Sequence, residues 1–258
     1  MKQHLERLLR GEDLVSAEVE AVFEAMLGGQ LAPEWIAGFL VALRAKGETP
    51  SEIAAAARVM RRHAKGIPVP AGRVLVDTCG TGGDSSGSFN LSTAAAVVAA
   101  AAGACVAKHG NRSVSSKAGS ADVLEALGLN LAVEPDRLGQ ILDEVGIAFL
   151  FAPGHHAATR HAVGPRKALA VRTIFNVLGP LTNPAGAQRQ VLGVYAPELV
   201  ETLGEVLLEL GTEHSLVVHG HGGLDELSIA GPTQVCEVVG GELRLYEVSP
   251  EDLGLRSA

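Results

Sequence analysis

The first 65 residues place apolar positions at helical spacing. Val19, Val22, Phe23, Met26 and Leu27 share one helix face, with Ser16 in place to cap it. PEWIAGFLVALRAKG opens with Pro33 in a first-turn position and stops near Gly47. TPSEIAAAARVM carries a capping box, Thr49 with Glu52 three residues on, and Pro50 inside it. GIPVPAG, residues 66–72, reads as a linker. Beyond it the pattern changes. RVLVD, ACVAKH, IAFLF, QVLGVY and SLVVHG are short apolar runs, and helical patterns over 92–102, 118–127, 135–145 and 197–210 lie between them. Such alternation predicts an α/β domain with a mostly parallel central sheet. RKALAVRTIFNVLGPLTNP, residues 166–184, is again helical and turn-rich, and is expected to return to the N-terminal helices. TQVCEVV and ELRLYEV read as a hairpin around Gly240 and Gly241. The expected architecture is a small helical domain over 1–66, rejoined by a segment near 164–184, and a larger α/β domain over 67–258.

Composition narrows the function classes. Of 258 residues, 47% are hydrophobic and only 3% aromatic, so alanine, valine and leucine must fill the core. The formal charge of −8 argues against a nucleic-acid partner, whose phosphates demand Lys and Arg. Cys79, Cys105 and Cys236 form no disulfide framework, which suggests a reducing compartment. The N-terminal MKQHLERLLRGED reads as a charged amphipathic helix and not a signal peptide. The apolar run 94–107 is too short to span a bilayer. A cytoplasmic protein without a membrane partner is expected.

Candidate chemistry gathers in loops after strands. GTGGDSSGSFNLST, residues 80–93, joins a strand to a helix. Its glycines admit close approach of a ligand, and its amides with the helix N-terminus make an anion site. The plainer alternative is a tight turn with an N-cap. KHGNRSVSSKAGSAD, residues 108–122, follows the next strand and brings Lys108, His109, Arg112 and Lys117. Two such loops at one sheet edge suit a ligand with more than one phosphate. GGLDELS offers Asp225 and Glu226, a pair that Mg2+ accepts alongside phosphate oxygens, although an acidic pair is often only surface. His155, His156, Arg160, His161, Arg166 and Lys167 form a second cationic region. Arg166 is the candidate there for a carboxylate, by two parallel hydrogen bonds. Nine histidines are present, but no spacing suggests zinc. No nucleophile motif is present, so catalysis by positioning and electrostatics is expected.

DTCGTGGD, FNLSTAAA, KHGNRSVSSKAGSADVLEALG, RTIFNVLGPLTNPA and GLDELS, in this order along nearly the whole chain, resemble the anthranilate phosphoribosyltransferase family. The resemblance implies a helical domain joined to an α/β domain of the nucleoside phosphorylase and phosphoribosyltransferase type. It implies transfer of the phosphoribosyl group of 5-phosphoribosyl diphosphate to the amine of anthranilate, releasing pyrophosphate, in tryptophan biosynthesis. It also implies Mg2+, as two ions with the diphosphate, and a homodimer formed through the helical domain. Carried over by motif, Gly80, Gly83, Asp84 and Ser88 bind phosphoribosyl diphosphate, continued by Asn90, Leu91, Ser92 and Thr93. Lys108, His109, Gly110, Asn111, Arg112, Ser113, Val114, Ser115 and Ser116 form its second loop, with Ser120 nearby. Gly80, Asn111, His156 and Arg166 contact anthranilate. Ser92, Asp225 and Glu226 hold the metal.

Family chains run on beyond LYEVSPEDLGL, so a C-terminal segment is expected to be missing here. Pyrimidine nucleoside phosphorylases share the architecture, but would not need the Asp225–Glu226 metal pair. A nucleic-acid-binding relative should show a basic surface, against the charge of this chain.

Overall fold

The computed structural model describes residues 1–84, 87, 89–113 and 118–258. They divide into two compact units, 1–64 with 156–182, and 65–155 with 183–258.

The first unit is helical. It holds α1 (Lys2–Leu9), α2 (Ser16–Leu27), α3 (Pro33–Lys46) and α4 (Pro50–Arg62). In its core Phe23 meets Phe39 edge-on, with ring centroids 6.4 Å apart, and Phe175 at 5.8 Å. Ser16 does not cap α2. It is the first helical residue, and its hydroxyl pairs with Ser51 at 2.9 Å. The orphan amide at the helix start goes instead to Glu18, which accepts from the Val15 N–H at 3.0 Å. The Thr49–Glu52 box does form, with Glu52 N donating to Thr49 Oγ1 at 3.3 Å and Thr49 N to Glu52 Oε2 at 2.8 Å. Glu52 is fully buried and also accepts from Leu14 N and Lys46 Nζ, so a local cap doubles as a tertiary joint.

The second unit is a seven-stranded sheet: β1 (Leu75–Asp77), β2 (Cys105–Gly110), β3 (Ile147–Phe151), β4 (Arg189–Gly193), β5 (His214–Gly220), β6 (Thr233–Val239) and β7 (Glu242–Val248). Their order is β3-β2-β1-β4-β5-β6-β7. The first five strands are parallel, and β6 and β7 close the sheet as an antiparallel hairpin. The helices of this unit include α5 (Leu91–Ala101), α6 (Ser120–Ala126) and α7 (Pro135–Val145). α8 (Ala152–His155) and α11 (Leu199–Glu209) belong here too, while α9 (Arg160–Leu169) and α10 (Phe175–Leu178) belong to the helical unit. Every residue of β2 is buried, as a parallel strand covered on both faces must be. Leu75, Cys105, Ala107, Leu138, Leu142 and Leu150 form one core cluster of this layer. α5 is the exception to burial: it is apolar nearly throughout, yet Val97 and Val98 face solvent at 54% and 68% exposure. No described helix is long and apolar enough to cross a membrane.

Candidate active site

The sheet order reverses at β1. Chain progress runs outward to β2 and β3 on one side and to β4 and β5 on the other. Ligands of open α/β sheets bind at such a switch point, beyond the C-terminal strand ends. Three of the expected loops leave the sheet there, after β1, β2 and β5.

The glycine loop after β1 is tied down on both sides. Thr81 N donates to the Gly193 carbonyl at the end of β4 at 2.8 Å, and Tyr195 N donates back to Thr81 Oγ1 at 3.2 Å. Gly80 lies so close that a Cβ on it would stand 2.8 Å from the Gly193 oxygen. Thr78 Oγ1 donates to the Ser92 carbonyl at 2.9 Å, fixing the strand end to α5. Asn90 caps that helix, its Oδ1 accepting from Thr93 N at 3.3 Å and from Thr93 Oγ1 at 2.5 Å. Leu91 and Ser92 are therefore the first helical residues, at the positive end of the α5 dipole.

Lys108, His109 and Gly110 finish β2, all buried. Lys108 Nζ reaches Thr78 Oγ1 at 3.1 Å and Ser92 Oγ at 3.3 Å, so the ammonium sits beside the start of α5. Burial pulls it below the ordinary lysine value, opposed by neighbouring Asp77 and Glu226. The loop beyond is clasped by α6. Asp122 Oδ2 accepts from Ser113 N at 3.0 Å and Gly119 N at 2.9 Å. Ser120 opens α6, its Cβ against Gly110. Asn111 Oδ1 accepts from Arg112 N at 2.7 Å. Arg112 is held by Glu125 through both terminal nitrogens, at 2.7 and 2.9 Å, and by Asp122 at 3.0 Å, with its guanidinium 5.7 Å from the Phe151 ring centre. Ser88, Val114, Ser115 and Ser116 lie outside the described residues.

The acidic pair follows β5. Gly220 N donates to the Leu224 carbonyl at 2.8 Å, which turns the chain back over the strand ends. Asp225 then packs its carbonyl against Gly193, where a Cβ would overlap it. The Gly82 amide lies near the Asp225 carboxylate and the Ser92 amide near that of Glu226, each favouring the charged form. Asp84 lies close enough to Asp225 to repel its charge. Burial raises Asp225 to about 6, helped by Asp84, and raises Glu226 to about 7, helped by Asp225. Two carboxylates and a serine hydroxyl, half-buried and crowding like charge, are the hard oxygen set that Mg2+ takes, and a divalent cation would relieve the repulsion. The residues fit the ion.

Gly193 and Gly220 were not among the expected site residues. Their signal was present in the sequence: a glycine inside a strand pattern marks close backbone approach. Cys79, beside the loop, has its thiol pushed up by burial and by Asp77, so it stays protonated.

In the helical unit, Arg166 on α9 stacks over the Phe175 ring, 4.8 Å from its centre. Burial alone pulls its guanidinium below the ordinary value, and among the described residues it has no carboxylate partner. His156 is buried, its carbonyl accepting from Thr159 N and Oγ1.

Comparison with known proteins agrees with this geometry. Residues 2–64 match the helical bundle domain of the glycosyl transferase family and residues 72–258 its a/b domain. Anthranilate phosphoribosyltransferase of Thioalkalivibrio sulfidiphilus is 55% identical over 258 residues, which are 100% of this chain and 76% of that protein. The crystal structure of the Thermus thermophilus enzyme of that name superposes with a TM-score of 0.91 at 50% identity, over 99% of this chain and 75% of that one. The Saccharomyces cerevisiae enzyme in complex with PRPP and Mg gives 0.89 at 30% identity, over 99% and 74%. With 4-fluoroanthranilate bound, the yeast enzyme gives 0.86 at 29%, again over 99% and 74%. This chain, a helical bundle followed by a mostly parallel α/β sheet, belongs to the glycosyl transferase family and, within it, to the anthranilate phosphoribosyltransferases.

Proposed function

We infer that the protein transfers the phosphoribosyl group of 5-phosphoribosyl diphosphate to the amine of anthranilate, giving N-(5-phosphoribosyl)anthranilate and pyrophosphate, in tryptophan biosynthesis. The observation that carries this reading is the convergence of the glycine loop, Lys108 and the Asp225–Glu226 turn at the switch point of the sheet.

The amides at Gly82 and Ser92 favour the charged forms of two nearby carboxylates, so they are placed to receive anionic oxygens. Gly80, Gly83, Asp84 and the start of α5, Asn90 to Thr93, receive the diphosphate. Lys108 lends a positive charge 3.3 Å from Ser92 Oγ, where negative charge grows as pyrophosphate departs. The loop from His109 through Ser113 and Ser120 takes the phosphoribosyl part. Asp225, Glu226 and Ser92 hold Mg2+, as two ions with the diphosphate, and a bound metal supplies charge neutralisation on the leaving group. In the helical unit, Arg166 receives the anthranilate carboxylate, with His156 on the same unit. The aromatic amine is neutral near pH 7, so it needs alignment with the ribosyl carbon more than a general base. That carbon develops oxocarbenium character as the bond to pyrophosphate breaks. A homodimer through the helical unit and a cytoplasmic location complete the reading.

The test follows anthranilate fluorescence in the presence of phosphoribosyl diphosphate and Mg2+. Loss of signal that requires all components is expected. A folded protein that binds both substrates but never consumes anthranilate would sink the reading.

A further inference from the structure

Asp77 ends β1 and is 1% exposed, yet neither the resemblance nor the mechanism gives it a role. Its Oδ1 accepts from the backbone N–H of Cys79 and of His109, both at 3.1 Å. Its Oδ2 accepts from Asn183 Nδ2 at 2.7 Å. Asn183 is itself fully engaged: Nδ2 also donates to the Ala107 carbonyl at 2.8 Å, and Oδ1 accepts from Ala185 N at 2.8 Å. One carboxylate thus grips the chain just before Gly80 and again between Lys108 and Gly110.

We propose that Asp77, braced by Asn183, is a positioning residue for phosphoribosyl diphosphate, fixing the glycine loop and the Lys108 loop at one mutual spacing. Burying a carboxylate is costly, and a strand end has no need of one. Three charge-assisted hydrogen bonds offset that cost: two hold the backbone of the two loops, and the third ties the carboxylate to the Asn183 side chain. The same charge supports the buried Lys108 ammonium. A metal is the other chemistry open to the trio of Asp77, Cys79 and His109, whose ligand atoms lie within 4.8 Å of one another. The hydrogen bonds on both Asp77 oxygens and the protonated Cys79 thiol favour the positioning role.

The proposal rests on the transferase reading, and its test keeps the two apart. Asp77→Asn keeps the volume but turns one acceptor into a donor, so either the two backbone amides or Asn183 must lose its partner. The KM for each substrate, phosphoribosyl diphosphate binding by calorimetry with Mg2+, and hydrogen exchange at the Cys79 and His109 amides are measured. We expect the phosphoribosyl diphosphate KM to rise by about tenfold or more, the worth of hydrogen bonds to a charged group. The anthranilate KM should rise less, because Arg166, which receives the anthranilate carboxylate, makes no hydrogen bond to Asp77. Exchange at the two amides should quicken while α7 stays protected. Asn183→Ala, which spares both backbone bonds, should move the same quantities less, and it decides the matter if Asp77→Asn does not fold. A merely structural role would lower the active fraction and leave KM in place, and that result would overturn the proposal. So would bound zinc or iron that Asp77→Asn removes. If the unsubstituted protein binds no phosphoribosyl diphosphate, the transferase reading itself falls, whatever the amides do.

Discussion

At the residue scale, charge and burial decide most of the chemistry. Arg166 is a half-buried cation with an aromatic face behind it and, among the described residues, no acid partner. Arg166→Ala should raise the anthranilate KM by about 10- to 100-fold, the worth of charge-assisted hydrogen bonds, and leave the phosphoribosyl diphosphate KM alone. Arg166→Lys should recover only part of the loss, because an ammonium lacks the two-pronged geometry. Steady-state kinetics with each substrate varied in turn checks both. The acidic pair gives a prediction in pH. Asp225 and Glu226 have folded-state values raised to about 6 and about 7, chiefly by burial. The folded chain therefore binds more protons than the unfolded chain between about pH 4 and 7. Their contribution favours the fold below about pH 4 and is lost as pH rises through 6 and then 7. Glu226→Gln should raise the melting temperature of the metal-free protein at about pH 8 and change it little at about pH 5. Mg2+ should stabilise the parent protein more at the higher pH, because the ligands must be deprotonated to bind. Calorimetry across that range would show the same effect of Glu226→Gln at both pH values if the pair were solvated and independent.

At the element scale, close packing of strand ends and turns sets the site. Gly193 leaves no room for a methyl group between the end of β4 and the Asp225 carbonyl. Gly193→Ala should push the acidic turn outward and weaken Mg2+-dependent substrate binding by at least about tenfold, with a cost of about 1–3 kcal/mol in stability. Titration of the variant with Mg2+ and phosphoribosyl diphosphate measures the first effect, and urea unfolding the second. In the helical unit, the capping box at α4 is joined to a buried ion pair. Glu52 is fully buried and Lys46 Nζ stands 2.9 Å from it. Glu52→Ala strands the Leu14 amide and leaves the ammonium only Asp13, at 2.6 Å, and the Gly47 carbonyl, and should cost about 1–3 kcal/mol, the worth of a buried polar group left without its partner. Urea unfolding of the helical unit would reveal it, and a change below about 1 kcal/mol would mean the pair is a surface one in energetic terms.

At the scale of the whole molecule, two observations stand out. The chain spans three quarters of the length of the relatives it matches. Separately, α5 carries the highest apolar content of the helices and buries only Thr93 and Ala96, leaving Val97 and Val98 exposed. An apolar stripe in water favours self-association of the 258-residue chain. Val98→Lys should lower its tendency to associate while sparing phosphoribosyl diphosphate affinity, because this residue lies on the solvent face of α5 and not at its N-terminal cradle. Light scattering against concentration, with calorimetry on the same samples, checks both parts.

Much of this was legible in sequence because its physics is local. The switch from helical to strand spacing near residue 72, the Thr49–Glu52 box, α7 over 135–145 and the final hairpin all follow from neighbours in the chain. The quoted loop motifs carried the family. Ser16 shows where local reading fails: a serine ahead of an apolar face resembles a cap, but Ser51 from another helix takes its hydroxyl. The burial that raises Asp225 and Glu226, the solitary Arg166 guanidinium on Phe175, and the grip of Asp77 and Asn183 on two loops join residues far apart in sequence. The sequence by itself determined element types, the loops that carry chemistry and the family. Only the tertiary structure decided which groups share a buried space. Desolvation, like-charge repulsion and hydrogen-bond geometry depend on distance through space, and chain spacing does not encode it.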